Sequence, residues 1–176
     1  SFKLKIDVSR CKMWFSCKED NETPVLLKTY DVGLGRPDSK SPSGTLTPLG
    51  RYTLGDKVAV YKPGVMGFHK DDRVEMIKVF GTRWIPFGKE VAGTTRPAKG
   101  FGIHGAPWKQ NSQKEWEEDL SEIGKFQSDG CVRLSAEDME EIFSIVLTRP
   151  TEIEIVNDYF ESIADSGEIV KSKQSA

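Results

Sequence analysis

Histidine is almost missing from this 176-residue chain, which carries only His69 and His104, and the three cysteines Cys11, Cys17 and Cys131 show no Cys-x-x-Cys or His-x-x-x-His spacing. A closed tetrahedral zinc set needs such ligands close together, so no metal is expected, and no other cofactor either. Cys11 and Cys17, if they lie on one extended strand, stand roughly 20 Å apart at about 3.3 Å per residue, too far for a disulfide. They could pair only across a turn. An excess of positive charge is also lacking: 25 Lys+Arg face 27 Asp+Glu, a net charge of −2. That argues against a nucleic-acid partner. No apolar run approaches the length of a membrane span. What remains is a chain of one domain's length, 37% hydrophobic and 30% charged, able to bury a core.

The alternation of Phe2, Leu4, Ile6 and Val8 with Lys3, Lys5 and Asp7 predicts a half-buried antiparallel strand. Met13-Trp14-Phe15 and 25–32 are two further strand candidates, and 51–54, 58–61 and 74–80 continue the β pattern. Between them, 33–50 holds Pro37, Pro42, Pro48 and a serine-rich middle, and reads as a long loop, functional or merely solvated. Trp116, Leu120 and Ile123 fall at i, i+4 and i+7 and predict a short amphipathic helix, stuck on the core or serving as a lid. Ser135 can cap a helix whose Met139, Ile142, Phe143 and Val146 face the core. A last strand spans 152–156, and beyond Phe160 the chain turns polar, with disorder expected over much of the last ten residues.

Chemistry gathers in two places. Ser128-Asp129-Gly130-Cys131-Val132-Arg133-Leu134 sets a cysteine between glycine and arginine, and Ile103-His104-Gly105 supplies an imidazole. A free thiol is only a few per cent ionised near neutrality; a nearby imidazole can take its proton and make it a nucleophile for acyl transfer. Gly130 permits a tight backbone approach that aims its own N–H and that of Cys131 at one point, as an oxyanion requires. Arg133 adds a fork of donors suited to a carboxylate. His69 is the one rival base, but Gly67-Phe68-His69-Lys70-Asp71-Asp72 reads as a polar loop with a surface histidine.

The cysteine segment resembles the Ser-His-Gly-Cys-Ile/Val-Arg signature of the YkuD-type L,D-transpeptidases, and Ile103-His104-Gly105 resembles that family's upstream histidine-glycine. Thr47-Pro48-Leu49-Gly50-Arg51-Tyr52 is similar to its Thr-Pro-x-Gly-x-aromatic segment, and Gly81-Thr82-Arg83-Trp84-Ile85 to its Gly-Thr-Arg-Trp stretch. The likeness runs from about Leu4 to Val156. It implies a mainly β fold, an antiparallel β-sandwich with one or two short helices, with a catalytic domain over 1–157 and a partly disordered tail over 158–176.

By the same resemblance Cys131 attacks the carbonyl of an L,D peptide bond in a peptidoglycan stem tetrapeptide. His104 moves the proton, and the Gly105 carbonyl orients its ring. Terminal D-alanine leaves, and the thioester passes to a neighbouring stem's amine, or to water in an L,D-carboxypeptidase. Ser128, Asp129, Gly130 and Arg133 are the candidate substrate contacts, Arg133 gripping a stem carboxylate. Such work is done outside the cytoplasm, in periplasm or wall; Ser1-Phe2-Lys3 leads straight into an alternating strand pattern, and the missing initiator methionine points to a trimmed chain, so the absent leader says little about destination. Two departures stand out. Asp129 occupies a position where the family usually has histidine, and is expected to bond Arg133 and lock the loop, or else to face the ammonium of a diaminopimelate. His104 and Ser128 are separated by 23 residues, longer than usual, which places an insertion at 106–122. The alternatives are a non-catalytic wall-binding module and a cysteine protease of ordinary L,L peptides.

Overall fold

A computed structural model describes residues 1–167 and the backbone of 171–172. Its elements are, in chain order, β1 (Phe2–Asp7), β2 (Lys12–Cys17), β3 (Val25–Asp31), β4 (Leu34–Gly35), β5 (Gly50–Leu54), β6 (Ala59–Val60), β7 (Met66–His69) and β8 (Asp72–Glu75). A single helical turn, α1 (Ile77–Phe80), leads to β9 (Arg83–Ala92), β10 (Gly102–Gly105), β11 (Trp108–Gln110), β12 (Trp116–Glu118), β13 (Phe126–Ser128) and β14 (Val132–Leu134). The chain closes with α2 (Ala136–Val146), β15 (Thr151–Val156), α3 (Tyr159–Ser166) and β16 (Lys171–Ser172).

One long sheet carries the fold, in the order β14-β10-β9-β5-β15-β1-β2-β3-β16, with β6 added on β9. Most neighbours run antiparallel, so the mainly β class stands. Within this sheet three pairings are parallel, β1 with β15, β10 with β14 and β3 with β16, and the helices number three among the described residues. Residues from both sides of the sheet, Met13 on β2 and Tyr30 on β3 toward one end and Ile103 and Val132 at the other, meet in a single core, so the sheet folds over itself. α2 lies across that core. Ser135 caps it by accepting from the Asp138 N–H at 3.2 Å, and Met139, Ile142 and Val146 are buried as their spacing predicts. Each such side chain contributes about 1.5–3 kcal/mol through burial.

The alternation of β1 predicts polar residues facing water, yet Lys5 and Asp7 are buried along with their apolar neighbours. The cause is α3, which covers that face from within the stretch expected to be tail. Tyr159 stacks on Trp14 with ring centroids 4.1 Å apart, and the Lys5 ammonium sits 5.4 Å from the same ring. Asp7 accepts from Ser9, from the Tyr159 N–H and from Arg10. Burial works to raise its pKa, but these hydrogen bonds hold the carboxyl below its usual value. The disorder expected of the last residues falls mostly on 168–170 and 173–176, which lie outside the described residues.

Two local expectations change. The insertion holds no helix: Trp116, Leu120 and Ile123 fit a helical stripe, but β12 pairs back on β11 as a hairpin, Gln110 opposite Trp116. Asn111 decides this, its side-chain oxygen accepting from the N–H groups of Gln113 and Glu115 and so closing a turn that a helix would unwind. Likewise 74–80 is not one strand. β8 ends at Glu75, and α1 turns Phe80 inward before Gly81, whose φ of 65° suits glycine.

Replacing Tyr159 by alanine removes the stack on Trp14. We expect a loss of about 2 kcal/mol and a Tm lower by roughly 4–8 °C in thermal unfolding, where a tail without contacts would show no change.

Candidate active site

The parallel pairing of β10 and β14 sets Ile103 beside Val132, His104 beside Arg133 and Gly105 beside Leu134. Ile103, Val132 and Leu134 point into the core and are fully buried. Alternation therefore puts His104, Arg133 and, one step before β14, Cys131 on the opposite face. The two motifs, 23 residues apart at their nearest ends, become neighbouring strands.

The turn that presents Cys131 is braced from inside. Ser128 is buried; its hydroxyl donates to the Cys131 carbonyl at 2.8 Å and accepts from the Gly130 N–H at 3.1 Å. Thr47, fully buried, donates to the Gly130 carbonyl at 3.1 Å while accepting from the Gly35 N–H. Gly130 has φ 125°, and a Cβ there would stand 2.6 Å from the Phe101 ring, so no other residue fits. The Gly130 N–H is thus spent on Ser128, and of the two expected oxyanion donors only that of Cys131 is not so engaged.

His104 Nδ1 lies 2.7 Å from the Gly105 carbonyl oxygen. A carbonyl can only accept, so Nδ1 carries the proton and Nε2 keeps its lone pair. Phe80 packs edge-on against the ring at 5.1 Å, and Trp84 lies 6.0 Å away. Burial pushes the imidazole pKa down to about 3, the Gly105 bond working against this and the Arg133 charge with it. Burial likewise pushes the half-buried Cys131 thiol up to about 11, partly offset by the Gly102 N–H. The resting pair is neutral on both sides. No direct hydrogen bond joins them among the described residues; the thiol donates instead to the Gly100 carbonyl, at 3.7 Å.

Arg133 and Asp129 do not meet, contrary to the expected lock. Arg133 is mostly buried and pairs with Glu122 of the insertion, and its backbone bonds Gly33 in both directions. Asp129 turns the other way, to Arg36 and Lys70. The stretch read as a polar loop is the hairpin β7–β8, and His69 is half-buried with its ring 5.4 Å from Phe80. Sequence reasoning thus missed Arg36, Lys70 and Phe80, and missed what Thr47 supports although its motif was noticed. Lys70 and Asp71 make the hairpin turn with φ of 50° and 68°, without the Asn-Gly pair that announces one. Among the described residues no three His, Cys, Asp or Glu side chains are grouped to hold a metal ion, and no helix is long and apolar enough to cross a membrane. A cavity of about 820 Å³ opens elsewhere, near Phe2, Lys18, Pro24 and Glu152, and includes neither Cys131 nor His104.

A family model described as L,D-transpeptidase catalytic domain, YkuD, matches residues 1–155. The chain belongs to that family. No curated protein matches it. Among solved structures, Bd1075 from Bdellovibrio bacteriovorus is 15% identical with a TM-score of 0.57, over 89% of this chain and 48% of the other. The helical cell shape determining protein Pgp2 from Campylobacter jejuni is 17% identical with a TM-score of 0.56, over 89% and 48%. An L,D-transpeptidase from Mycobacterium smegmatis is 17% identical with a TM-score of 0.49, over 88% and 58%. The chain thus spans about half the length of these structures, and at such identities the likeness is one of fold.

A thiol held neutral by burial has a clear signature in this domain. Alkylation of Cys131 by iodoacetamide, followed by mass spectrometry, is expected to speed up with pH through neutrality and beyond pH 9 toward the thiol value of about 11. A rate already level below pH 7 would show a preformed thiolate–imidazolium pair instead.

Proposed function

We propose that this domain is a peptidoglycan L,D-transpeptidase with Cys131 as nucleophile and His104 as base. The observation that carries the reading is the His104 Nδ1–Gly105 bond of 2.7 Å, on a strand in register with the one that Cys131 opens. It leaves Nε2 free to accept the thiol proton without any carboxylate to orient the ring. As Sγ attacks the carbonyl of an L,D peptide bond in a stem tetrapeptide, the proton passes to Nε2 and the Cys131 N–H meets the developing oxyanion. His104, now positive, protonates the departing D-alanine amine and returns to its neutral form. A thioester on Cys131 remains. An amine from a second stem attacks it, giving up a proton to His104; the C–S bond breaks, Sγ takes that proton back from His104, and the cross-link leaves as an amide. Water in place of the amine gives an L,D-carboxypeptidase. Peptidoglycan as substrate places the work outside the cytoplasm, in the periplasm or wall.

The neutral resting pair fits this order of events. Ionising His104 early, buried beside Arg133, is disfavoured; ionising it as the thiol attacks lets the negative charge pass to the carbonyl oxygen. Gly130 and Ser128 serve the site through the turn they build. Arg133 is already paired with Glu122, so we assign it to holding the insertion on the nucleophile strand.

Incubation with disaccharide tetrapeptide and separation of products by mass tests the reading: loss of D-alanine with a cross-linked dimer supports it, and free tripeptide alone would make the enzyme a carboxypeptidase. Cys131→Ser should abolish turnover, and His104→Ala should lower kcat by about 10²–10⁴-fold. A carbapenem adduct on intact protein, absent in Cys131→Ser, is also expected. A wild type that binds muropeptide but neither turns over nor takes the adduct would be a wall-binding module.

A further inference from the structure

Two cations converge on one carboxylate at the rim of this site. Arg36 Nη1 bonds one oxygen of Asp129 and Lys70 Nζ the other, and Asp129 is two residues from Cys131. The three arrive from separate parts of the chain. Arg36 follows β4, where its N–H donates to the Ser128 carbonyl at 2.8 Å and its carbonyl accepts from the Leu46 N–H at 3.0 Å. Lys70 opens the β7–β8 turn, directly after His69, whose ring rests on Phe80 at 5.4 Å, and Phe80 in turn meets His104 at 5.1 Å. The hairpin reaches from the imidazole side of the site to the signature side, and it lands on Asp129.

One carboxylate cannot neutralise two cations, so the cluster as a whole is positive at the rim, with Asp129 the member whose charge reaches the thiol. The three side chains are also exposed, 58% for Arg36, 63% for Lys70 and 44% for Asp129. Ion pairs this open contribute about 0–1 kcal/mol each, so an incoming anion can exchange with Asp129 at little cost. A guanidinium and an ammonium side by side match a carboxylate's two oxygens. Reach agrees as well: Asp129 and Cys131 are two peptide units apart, at most about 7 Å between Cα atoms. The carboxylate carbon of a residue just beyond the scissile bond is three bonds from the attacked carbonyl carbon, within about 4 Å, and so falls inside that radius. Arg133, the cation of the signature itself, is occupied by Glu122.

We propose that Arg36 and Lys70 read a free carboxylate on the donor peptide, and that Asp129 fills their place with an internal carboxylate until the peptide's own takes over. The ligand class is a peptide whose terminal, departing residue ends in a free carboxylate. The identity of that peptide rests on the transpeptidase reading; the preference for a carboxylate does not. In the resting site the charge of Asp129 is met by these two cations and not by Arg133.

The test is calorimetric titration of the Cys131→Ser protein with stem tetrapeptide as the free acid and as its C-terminal amide. We expect the acid to bind about tenfold tighter, as for a charge-assisted contact. Lys70→Gln and Arg36→Gln should each reduce that ratio several-fold, Lys70→Arg should keep it, and Asp129→Asn should tighten the acid and leave the amide alone. Equal affinities for acid and amide, or a ratio that survives both glutamine substitutions, overturns the proposal. So does weaker acid binding in Asp129→Asn. Carbapenem acylation of Cys131 in the wild type keeps the two readings apart. Acylation with a ratio indifferent to Lys70 and Arg36 overturns the carboxylate pair and spares the enzyme. A ratio that responds to both, without acylation, supports the pair and removes the enzyme.

Discussion

The parallel seam between β10 and β14 is the constraint on which the rest of this domain depends. It turns two distant motifs into one surface, with hydrophobic residues anchoring each strand below and His104, Arg133 and Cys131 above. The seam tolerates little variation. A Cβ on Gly102 would strike the Trp84 ring at 2.5 Å, and one on Gly130 the Phe101 ring at 2.6 Å, so these rings pack where they do only because side chains are missing there. Burial then sets the electrostatics. An imidazole enclosed by Phe80, Trp84 and a neighbouring guanidinium stays neutral, and its one ring proton goes to the Gly105 carbonyl. Charge is created only as the reaction proceeds, at the oxygen of the substrate.

Two hairpins brace the seam. The insertion joins it through Glu118, which accepts from the Ala136 N–H at the start of α2, and through Glu122, which pairs with Arg133. The β7–β8 hairpin joins it through His69 on Phe80 and Lys70 on Asp129. The Glu122–Arg133 pair is mostly buried, whereas the β7–β8 hairpin ends in an exposed ion pair and carries Phe68 out to solvent at 74% exposure. Of the two, the β7–β8 brace is the easier to displace, because its charges lose little by returning to water. That difference suits a site whose nucleophile is half-buried and must still receive a peptide.

Much of this was legible in the residues. Alternation marked β1 and β15, short apolar runs marked β2 and β3, the spacing of Met139, Ile142 and Val146 marked α2, and Ser135 was readable as its cap. Cys131, His104 and Gly105 stood out through their glycine neighbours. What escaped was set by partners distant in sequence. Lys5 and Asp7 look solvated until Tyr159 covers them, and Trp116, Leu120 and Ile123 have helical spacing until Asn111 closes a turn against it. Asp129 offered three cations in principle, and neighbouring Arg133 was the natural choice. Only the fold brings Arg36 and Lys70 nearer, and only the insertion supplies Glu122 to occupy Arg133. Local pattern cannot register such competition between remote charges.

The central claim is that His104 waits as a neutral ring, protonated on Nδ1 and open on Nε2. Long-range ¹H–¹⁵N NMR correlation of the two imidazoles across pH 4–8, assigned with His69→Gln, measures this directly. The account predicts one ring in the Nδ1-protonated form with no titration over that interval, in keeping with a pKa near about 3. A His104 that titrates near neutrality, or carries its proton on Nε2, would contradict it.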